Sequence, residues 1–179
     1  LIEDSRGQLW AGTNRGLSCW NPHTDEWVNY FEKRGSEAFI ILALCEDDDG
    51  NIWVGTYAHG VYVIDGKRPA IIAHHTRPTG ILSKTGFVFD ILKDGNGDMW
   101  LAGMNGEILM YERRTREFKT YPAEPVYAID EWGDRTLILA CSYGLLTLDK
   151  ETKELTVLLT DNMIQDIAVV QDKIWAGSN

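Results

Sequence analysis

Short apolar runs alternate with turns rich in glycine and aspartate along the chain, without the i, i+3, i+4, i+7 spacing of long amphipathic helices. Asp48–Asn51 and Tyr57–Gly60 are such turns. The runs between them predict strands at Ala38–Glu46, Ile52–Thr56, Val61–Asp65 and Ala70–His75. The same plan returns at Phe87–Lys93, Met99–Ala102, Glu107–Glu112 and Glu117–Tyr121. The pattern predicts an all-β chain of short antiparallel strands.

The turn and the strand after it belong to an internal repeat. Gly7-Gln8-Leu9-Trp10-Ala11-Gly12-Thr13 returns in the segments 50–56, 97–103, 134–141 and 172–178, the fourth being degenerate. Four strands in a unit of about 40 residues are typical of a β-propeller blade. We therefore predict a β-propeller of four-stranded antiparallel blades, with about four and a half blades at 1–37, 38–86, 87–125, 126–162 and, incomplete, 163–179.

The two ends of the chain carry the same strand of the repeat. A propeller that closes on itself usually needs complementary ends, whereas here both ends offer the Trp-Ala-Gly strand. We expect an open fragment of a larger propeller. Its exposed blade edges predict self-association, because unpaired strand edges are ready to pair with another chain.

A tryptophan recurs at one strand position of the repeat, at Trp10, Trp53, Trp100 and Trp175, with Ile138 in the fourth unit. Aromatic rings can stack on ligands, but a bulky ring at one fixed position in each unit is also what packing between neighbouring blades requires. We predict that these four side chains form the structural core of the repeat. Trp20, Trp27 and Trp132 do not recur, and we expect partial exposure for them.

Composition and charge exclude several classes of function. The 179 residues include 17 Lys and Arg against 27 Asp and Glu, for a net charge of −10, which argues against a nucleic-acid partner. No apolar run reaches the ~20 residues of a membrane-spanning helix, so we expect no membrane contact by this region. Cys19, Cys45 and Cys141 are far apart and are predicted to be buried apolar residues. The charged turns 22–26, 113–116 and 150–153 are predicted to be solvated.

The repeat resembles a known family. Glu3-Asp4 through Trp10-Ala11-Gly12-Thr13, followed by Gly16-Leu17, is similar to the two-component regulator propeller repeat, and Glu46-Asp47 through Thr56 is equally similar. The resemblance implies a non-catalytic sensory region on the periplasmic side of a bacterial hybrid two-component regulator. It further implies a parent protein anchored in the inner membrane, of the kind that Bacteroides-like gut bacteria use to detect oligosaccharides. A histidine kinase would lie elsewhere in such a parent.

Propellers commonly bind ligands through loops at one face, including those between the second and third strands of each blade. These loops carry the candidate ligand-binding residues Arg15, Tyr57, His59, Asn105 and Tyr143. Their side chains could stack on and hydrogen-bond a saccharide, and they could equally be ordinary exposed loop residues.

Residue patterns for catalysis or metal binding give little support to an enzyme. His74 and His75 are adjacent, so on a strand they point to opposite faces and cannot share a metal. Asp47-Asp48-Asp49-Gly50 lacks the spacing of an EF-hand loop. We predict no catalytic residue, no metal and no cofactor. Two alternatives stay open: a propeller lyase similar to the streptogramin-inactivating enzymes, and a generic protein-interaction propeller.

Overall fold

A computed structural model describes residues 1–31, 39–68, 70–76, 86–103, 106–160 and 163–178. The described residues form strands, turns and bends, and none of them is helical. Within those ranges, no helix has the length and apolar character of a membrane span. The chain divides into two compact units, Leu1–Val88 and Phe89–Asn179.

Unit 1 contains two four-stranded antiparallel sheets, each with its strands in chain order. Blade 1 consists of β1 (Ile2–Glu3), β2 (Leu9–Thr13), β3 (Gly16–Asn21) and β4 (Glu26–Tyr30). Blade 2 consists of β5 (Ile41–Glu46), β6 (Ile52–Thr56), β7 (Val61–Asp65) and β8 (Ala70–His75). Each connection is a short turn, which restricts neighbouring strands to antiparallel pairing.

Unit 2 repeats this arrangement twice and adds a pair of strands. Blade 3 consists of β9 (Asp90–Lys93), β10 (Met99–Ala102), β11 (Glu107–Glu112) and β12 (Glu117–Pro122). Blade 4 consists of β13 (Val126–Trp132), β14 (Thr136–Cys141), β15 (Gly144–Asp149) and β16 (Leu155–Thr160). Blade 5 consists of β17 (Ile164–Val170) and β18 (Lys173–Ser178).

The strand bounds follow the sequence pattern closely, with shifts at the starts of blades 2 and 3. The strand predicted over 38–46 begins at Ile41, and the strand predicted over 87–93 begins at Asp90. Residues 87–89, predicted as strand, precede β9, and the amide of Val88 donates to the carbonyl oxygen of Thr56 instead. The blade boundaries remain predictions, and two of them, 37/38 and 162/163, fall on residues outside the described ranges.

The core of each unit lies where the faces of successive sheets meet. In unit 1, Trp10 and Leu17 of blade 1 belong to one buried cluster with Ile52 and Val54 of blade 2. In unit 2, Trp100 and Ile108 cluster with residues of blade 4, including Leu137. Burial of these side chains at about 25 cal/mol per Å² is the main source of stability for such stacked sheets. Cys19 and Cys141 are buried, Cys45 is half-buried, and all three are free thiols.

Three of the four repeated tryptophans are buried as predicted: Trp10, Trp53 and Trp100 are each at most 2% exposed. Trp175 is 64% exposed, so its predicted place in the core is wrong. Each buried indole lies against a ring of the fourth strand of its own blade, such as Tyr30 or Tyr121. Among the described residues, β18 pairs only with β17, so Trp175 has no third or fourth strand beside it.

An aspartate six residues before each buried tryptophan closes the turn between the first two strands. One carboxylate oxygen of Asp94 accepts the indole N–H of Trp100 at 3.0 Å, and the other accepts the amides of Asn96 and Asp98. Asp4 and Asp47 make the same three bonds in blades 1 and 2. We call this arrangement the Asp–Trp clamp. It satisfies a buried indole and two turn amides with one charged acceptor, which strengthens each bond.

The pKa of Asp4 shows this effect. Burial alone would raise the pKa of that carboxyl, but the hydrogen bonds from the Trp10 indole and from the amides of Gln8 and Arg6 outweigh it and lower the pKa. A carboxyl with a lowered pKa stabilises the fold above its unfolded pKa and loses that contribution as the pH falls through the folded value. The Asp–Trp clamp of blade 1 therefore stabilises unit 1 more at neutral pH than at acidic pH.

Glutamates link neighbouring blades at the same turns. The amide and hydroxyl of Ser5 both donate to the carboxylate of Glu46 at 2.7 Å, joining blade 1 to blade 2. In unit 2 the amide of Gly95 donates to Glu131 at 2.9 Å, joining blade 3 to blade 4. These bonds fix the angle between successive sheets at one rim of each unit.

The turn 150–153 differs from the solvated turn that the sequence predicts. Lys150 is buried, and its ammonium group forms ion pairs with Asp94, at 3.2 Å, and with Glu131. Lys153 is half-buried, with its ammonium 5.3 Å from the ring centre of Trp100. The turn is drawn inward because both carboxylates belong to the rim of the preceding interface, where an uncompensated buried charge would be costly.

Candidate functional site

The predicted ligand-binding residues that the structure describes, Arg15, Tyr57, His59 and Tyr143, lie on turns between second and third strands. A threonine shapes this turn in each blade of unit 1. Thr56 Oγ1 donates to the Gly60 carbonyl at 2.8 Å and accepts the amide of His59 at 2.9 Å. Thr13 makes equivalent bonds with Gly16 and with the amide of Arg15. The threonine hydroxyl therefore stabilises the backbone of its own turn, and the neighbouring side chains remain available to contact a ligand.

In blade 2 the turn 57–60 carries a cluster of aromatic rings. Tyr57 is 48% exposed, and its ring meets that of Phe87 edge-on at 4.5 Å. The His59 imidazole stacks on Phe39 at 4.7 Å. The ring of His74 stacks on Tyr62 at 3.7 Å, and its Nε2 lies 2.8 Å from the carbonyl oxygen of His59. We call the rings of Tyr57, His59, Tyr62, His74 and Phe87, which pack over the buried Phe39, the blade 2 aromatic surface.

Backbone bonds from both sides hold this turn in place. The amide of Tyr57 donates to the carbonyl of Ile40, and the amide of Gly60 donates to the carbonyl of Gly86. Gly86 has a φ of 70°, and a Cβ there would lie 3.0 Å from the carbonyl oxygen of Ala58. A rigid turn that displays exposed rings loses little conformational entropy when a ligand binds.

His74 and His75 face opposite sides of β8, as the alternation of a strand requires. The His74 ring lies on Tyr62, whereas the His75 ring lies on Trp53 at 6.0 Å. Burial, followed by the charge of His74, lowers the pKa of His75. Among the described residues, no three His, Cys, Asp or Glu side chains converge as a metal site would require.

In unit 2 the structure places two rings missed by the sequence analysis near Ser142, the residue before the predicted Tyr143. Tyr143 is 71% exposed in the turn after β14. Its neighbour Ser142 lies 3.3 Å from the hydroxyl of Tyr127, whose ring is 5.5 Å from that of Phe89. We call Phe89, Tyr127, Ser142 and Tyr143 the blade 4 aromatic surface.

A repeated β-bulge positions Tyr127. The register of the first strand shifts between Val126 and Ala128 in blade 4, and at the equivalent place in blades 2 and 5. A bulge re-aims the side chain of its extra residue. The extra residues are Leu42, Tyr127 and Gln165, and no sequence pattern in an apolar run separates them from ordinary strand residues.

The other described candidate, Arg15, joins neither surface. Arg15 is exposed on its turn, and among the contacts of the described residues none links it to the blade 2 aromatic surface. Asn105 lies outside the described residues. Tyr57 and His59 thus share one surface, Tyr143 lies on another, and Arg15 stands apart.

Acidic side chains on the first strands of blades 3 and 4 are close in sequence to Phe89 and Tyr127 of the blade 4 aromatic surface. Asp90 accepts the amide of Ile129 at 3.0 Å, and Asp130 accepts that of Val169. Burial raises the pKa of Asp90, and the charges of Asp166 and Asp130 raise it further. These bonds join the first strands of successive blades, so the two carboxylates stabilise the packing of unit 2.

Part of blade 2 is similar to a known family. Residues 35–58, which span β5 and β6, match the family model described as two component regulator propeller. No curated protein shows significant sequence similarity to the chain.

Solved structures share the fold. One is the extracellular domain of what is described as hybrid two component system BT3049 from B. thetaiotaomicron, with a TM-score of 0.82 and 19% identity over 99% of this chain and 27% of that one. Another is the extracellular domain of BT4673 from the same organism, described as a hybrid two component system, with a TM-score of 0.55 and 14% identity over 98% and 32%. The chain therefore spans about a third or less of the domains that it resembles.

These similarities agree with the expectations from the repeat. The all-β propeller fold of four-stranded blades is confirmed by the structural match. The resemblance first seen in the sequence is confirmed over residues 35–58, which match the two component regulator propeller model.

Proposed function

We propose that this chain is part of a non-catalytic sensory propeller in the periplasmic region of a bacterial hybrid two-component regulator that is anchored in the inner membrane. The observation that carries the proposal is the match, over 99% of the chain, to the extracellular domain of a protein described as a hybrid two component system. Ligand binding would act by favouring one arrangement of the receptor over another, which requires a difference in affinity between the two.

The ligand in this proposal is a carbohydrate-derived molecule that stacks on the aromatic surfaces. Sugar rings present apolar faces to exposed aromatic side chains, while their hydroxyls need hydrogen-bonding partners nearby. The blade 2 aromatic surface offers Tyr57 on a rigid turn, and the blade 4 aromatic surface offers Tyr143 beside the hydroxyls of Ser142 and Tyr127. Both combine an exposed aromatic face with polar groups nearby, as binding of a saccharide requires.

Replacing Tyr57 or Tyr143 by alanine should weaken oligosaccharide binding about tenfold, because each change removes a stacking surface worth about 1.4 kcal/mol. Calorimetric titration with a defined panel of plant and host oligosaccharides measures the effect. Trp27→Ala is the matched control, since Trp27 is an exposed ring, 60% accessible, on the outer strand β4. Equal losses in all three variants would exclude these turns, and no binding across the panel would exclude a carbohydrate ligand.

We also propose that the 179-residue segment, taken by itself, associates with a second copy through β18. Strands β2, β6, β10 and β14 each pair on both sides, whereas β18, among the described strands, pairs only with β17 and carries the exposed Trp175. A two-fold arrangement in which β18 of each copy pairs with β18 of the other satisfies both edges with one self-complementary contact.

Trp175→Lys should weaken this dimer at least about tenfold, because a lysine on an edge strand opposes strand pairing. Sedimentation velocity over a range of protein concentrations gives the dissociation constant. Trp27→Lys places the same change on the outer strand of a complete blade and should leave the constant unchanged. A wild-type chain that stays monomeric at all concentrations would contradict the proposal.

A further inference from the structure

Unit 1 contains a cleft of about 240 Å³ between the outer half of blade 1 and the β7–β8 turn of blade 2. Buried Trp10 forms its floor and half-buried Tyr30 one wall, with ring centres 5.7 Å apart. Glu26 and Asp65 supply carboxylates to the lining. Burial raises the pKa of Tyr30 to about 12 and that of Cys19, also in the lining, to about 11, so both stay neutral at physiological pH.

The same place in unit 2 is occupied by a cation of the chain itself. Trp100 and Tyr121 of blade 3 repeat the ring pair, with centres 5.8 Å apart. The Lys153 ammonium, from the β15–β16 turn of blade 4, lies 5.3 Å from the Trp100 ring centre and 5.2 Å from that of Tyr121. Aromatic faces attract a cation at this distance through the ring quadrupole.

The two turns correspond residue by residue, but their cations differ. Asp65 and Asp149 each end a third strand, and four residues separate Asp65 from Ala70 as four separate Asp149 from Glu154. Lys150 therefore corresponds to Gly66, and Lys153 corresponds in the sequence to Pro69, which lies outside the described residues.

In unit 1, Arg6 takes the place of one of these two lysines, Lys150. The Arg6 guanidinium pairs with Asp4 at 2.9 Å and fills the space beside Gly66, so it does for Asp4 what Lys150 does for Asp94. The cation over the ring pair has no such substitute among the described contacts of Trp10 and Tyr30. The chain thus keeps the aromatic wall in unit 1 without the ammonium that covers it in unit 2.

One cationic neighbour of the ring pair in unit 2 is replaced by an uncharged residue in unit 1. In unit 2, burial and then the charge of Lys119 lower the pKa of Lys153. In the strand register, Lys119 lies opposite Met110 of β11. The corresponding residue of blade 1 is the uncharged Val28, which lies opposite Cys19 of β3. Lys67 and Arg68 do line the cleft, but the Arg68 side chain is 79% exposed and is paired with Asp65 at 2.9 Å.

We propose that this cleft binds the ammonium group of a small organic amine, with the ring of Tyr30 as the wall, Trp10 as the floor and Glu26 as the counter-ion. The volume lies below the roughly 300–1,000 Å³ of pockets for drug-sized molecules, so it suits a compact ammonium compound. The site lies wholly within unit 1 and does not depend on the carbohydrate proposal.

Choline and its neutral isostere 3,3-dimethylbutan-1-ol test the proposal, because they differ only in the charged nitrogen. In ¹⁵N spectra of the whole chain, choline should shift the indole resonance of Trp10 saturably, with the neutral isostere at least about tenfold weaker. Tyr30→Leu should weaken choline binding about fivefold, and Trp132→Leu, in unit 2, should not. Equal binding of the two compounds, or no shift of Trp10 with choline, would overturn the proposal.

A second variant tests the correspondence on which the inference rests. Lys153→Ala should open the equivalent place in unit 2, so that choline also shifts the Trp100 indole, which it leaves unchanged in the wild-type chain. The spectrum of Trp100 in the absence of choline shows whether the variant is folded. A folded Lys153→Ala variant that does not bind choline at Trp100 would contradict the correspondence and the proposal together.

Discussion

Asp94→Ala should lower the free energy of unfolding of unit 2 by about 3–5 kcal/mol, because the side chain is a buried charge with several partners. The substitution leaves the Trp100 indole and the amides of Asn96 and Asp98 without their acceptor. It also deprives the buried Lys150 ammonium of one of its two carboxylates. Urea unfolding followed by circular dichroism and tryptophan fluorescence measures the loss.

Two other aspartates serve as controls for this prediction. Asp47 makes the same three bonds to Asp49, Asn51 and Trp53 but is less buried, so Asp47→Ala should cost about half as much. Asp134 is an exposed turn residue of blade 4, where Ile138 replaces the tryptophan, and Asp134→Ala should change stability by less than about 0.5 kcal/mol. If Asp94→Ala and Asp134→Ala are equally mild, the clamp does not stabilise the fold.

The sequence alone could have revealed the clamp, because three copies of the repeat have an aspartate and a tryptophan at the same spacing. Asp4, Asp47 and Asp94 each stand six residues before a tryptophan. Where the tryptophan is lost, at Ile138, the earlier position holds Trp132, and the exposed Trp175 has Val169 there. Periodicity predicts which side of a strand is buried, but not which acceptor a buried indole uses, so the pairing was overlooked.

Trp175 shows the opposite limit of the repeat. The strand segment 174–177 around it is as typical of the repeat as the segment around Trp10. The burial of Trp10, however, depends on Tyr30 from a fourth strand and on the sheet of blade 2. A repeat identifies equivalent positions, whereas burial depends on the neighbours present around each copy. Strand positions could therefore be predicted from local pattern, and the exposure of one indole could not.

The candidate site was predictable in part for a similar reason. Turn position identified Tyr57, His59 and Tyr143, since turns between strands are visible as glycine-containing breaks in the pattern. Tyr127 belongs to a strand and reaches the blade 4 aromatic surface only because a bulge changes the register after Val126. Lys150 and Lys153 were predicted as solvated because only the fold shows that their turn meets the carboxylates and rings of blade 3.

Gly66→Ala should destabilise unit 1 by about 3 kcal/mol, because the new methyl group has no room. It would overlap the carbonyl oxygen of Gly50, which is backbone and cannot rotate away, and the Arg6 guanidinium. Moving Arg6 would break its ion pair with the fully buried Asp4 carboxylate and its 3.0 Å bond to Gly50. Urea unfolding of the variant gives the loss.

Gly95→Ala is the matched control, since a Cβ there would meet only the Glu131 carboxylate at ordinary contact distances of 3.7 and 3.8 Å. It should stay within about 0.5 kcal/mol of the wild type. The double variant Arg6→Ala/Gly66→Ala separates the two clashes: truncating Arg6 removes the side-chain overlap but leaves that with the Gly50 oxygen, so the double variant should remain destabilised. If the double variant recovers full stability, the backbone around Gly50 and Gly66 can move apart to make room for the methyl group. The close approach at Gly66 would then not determine how blades 1 and 2 pack.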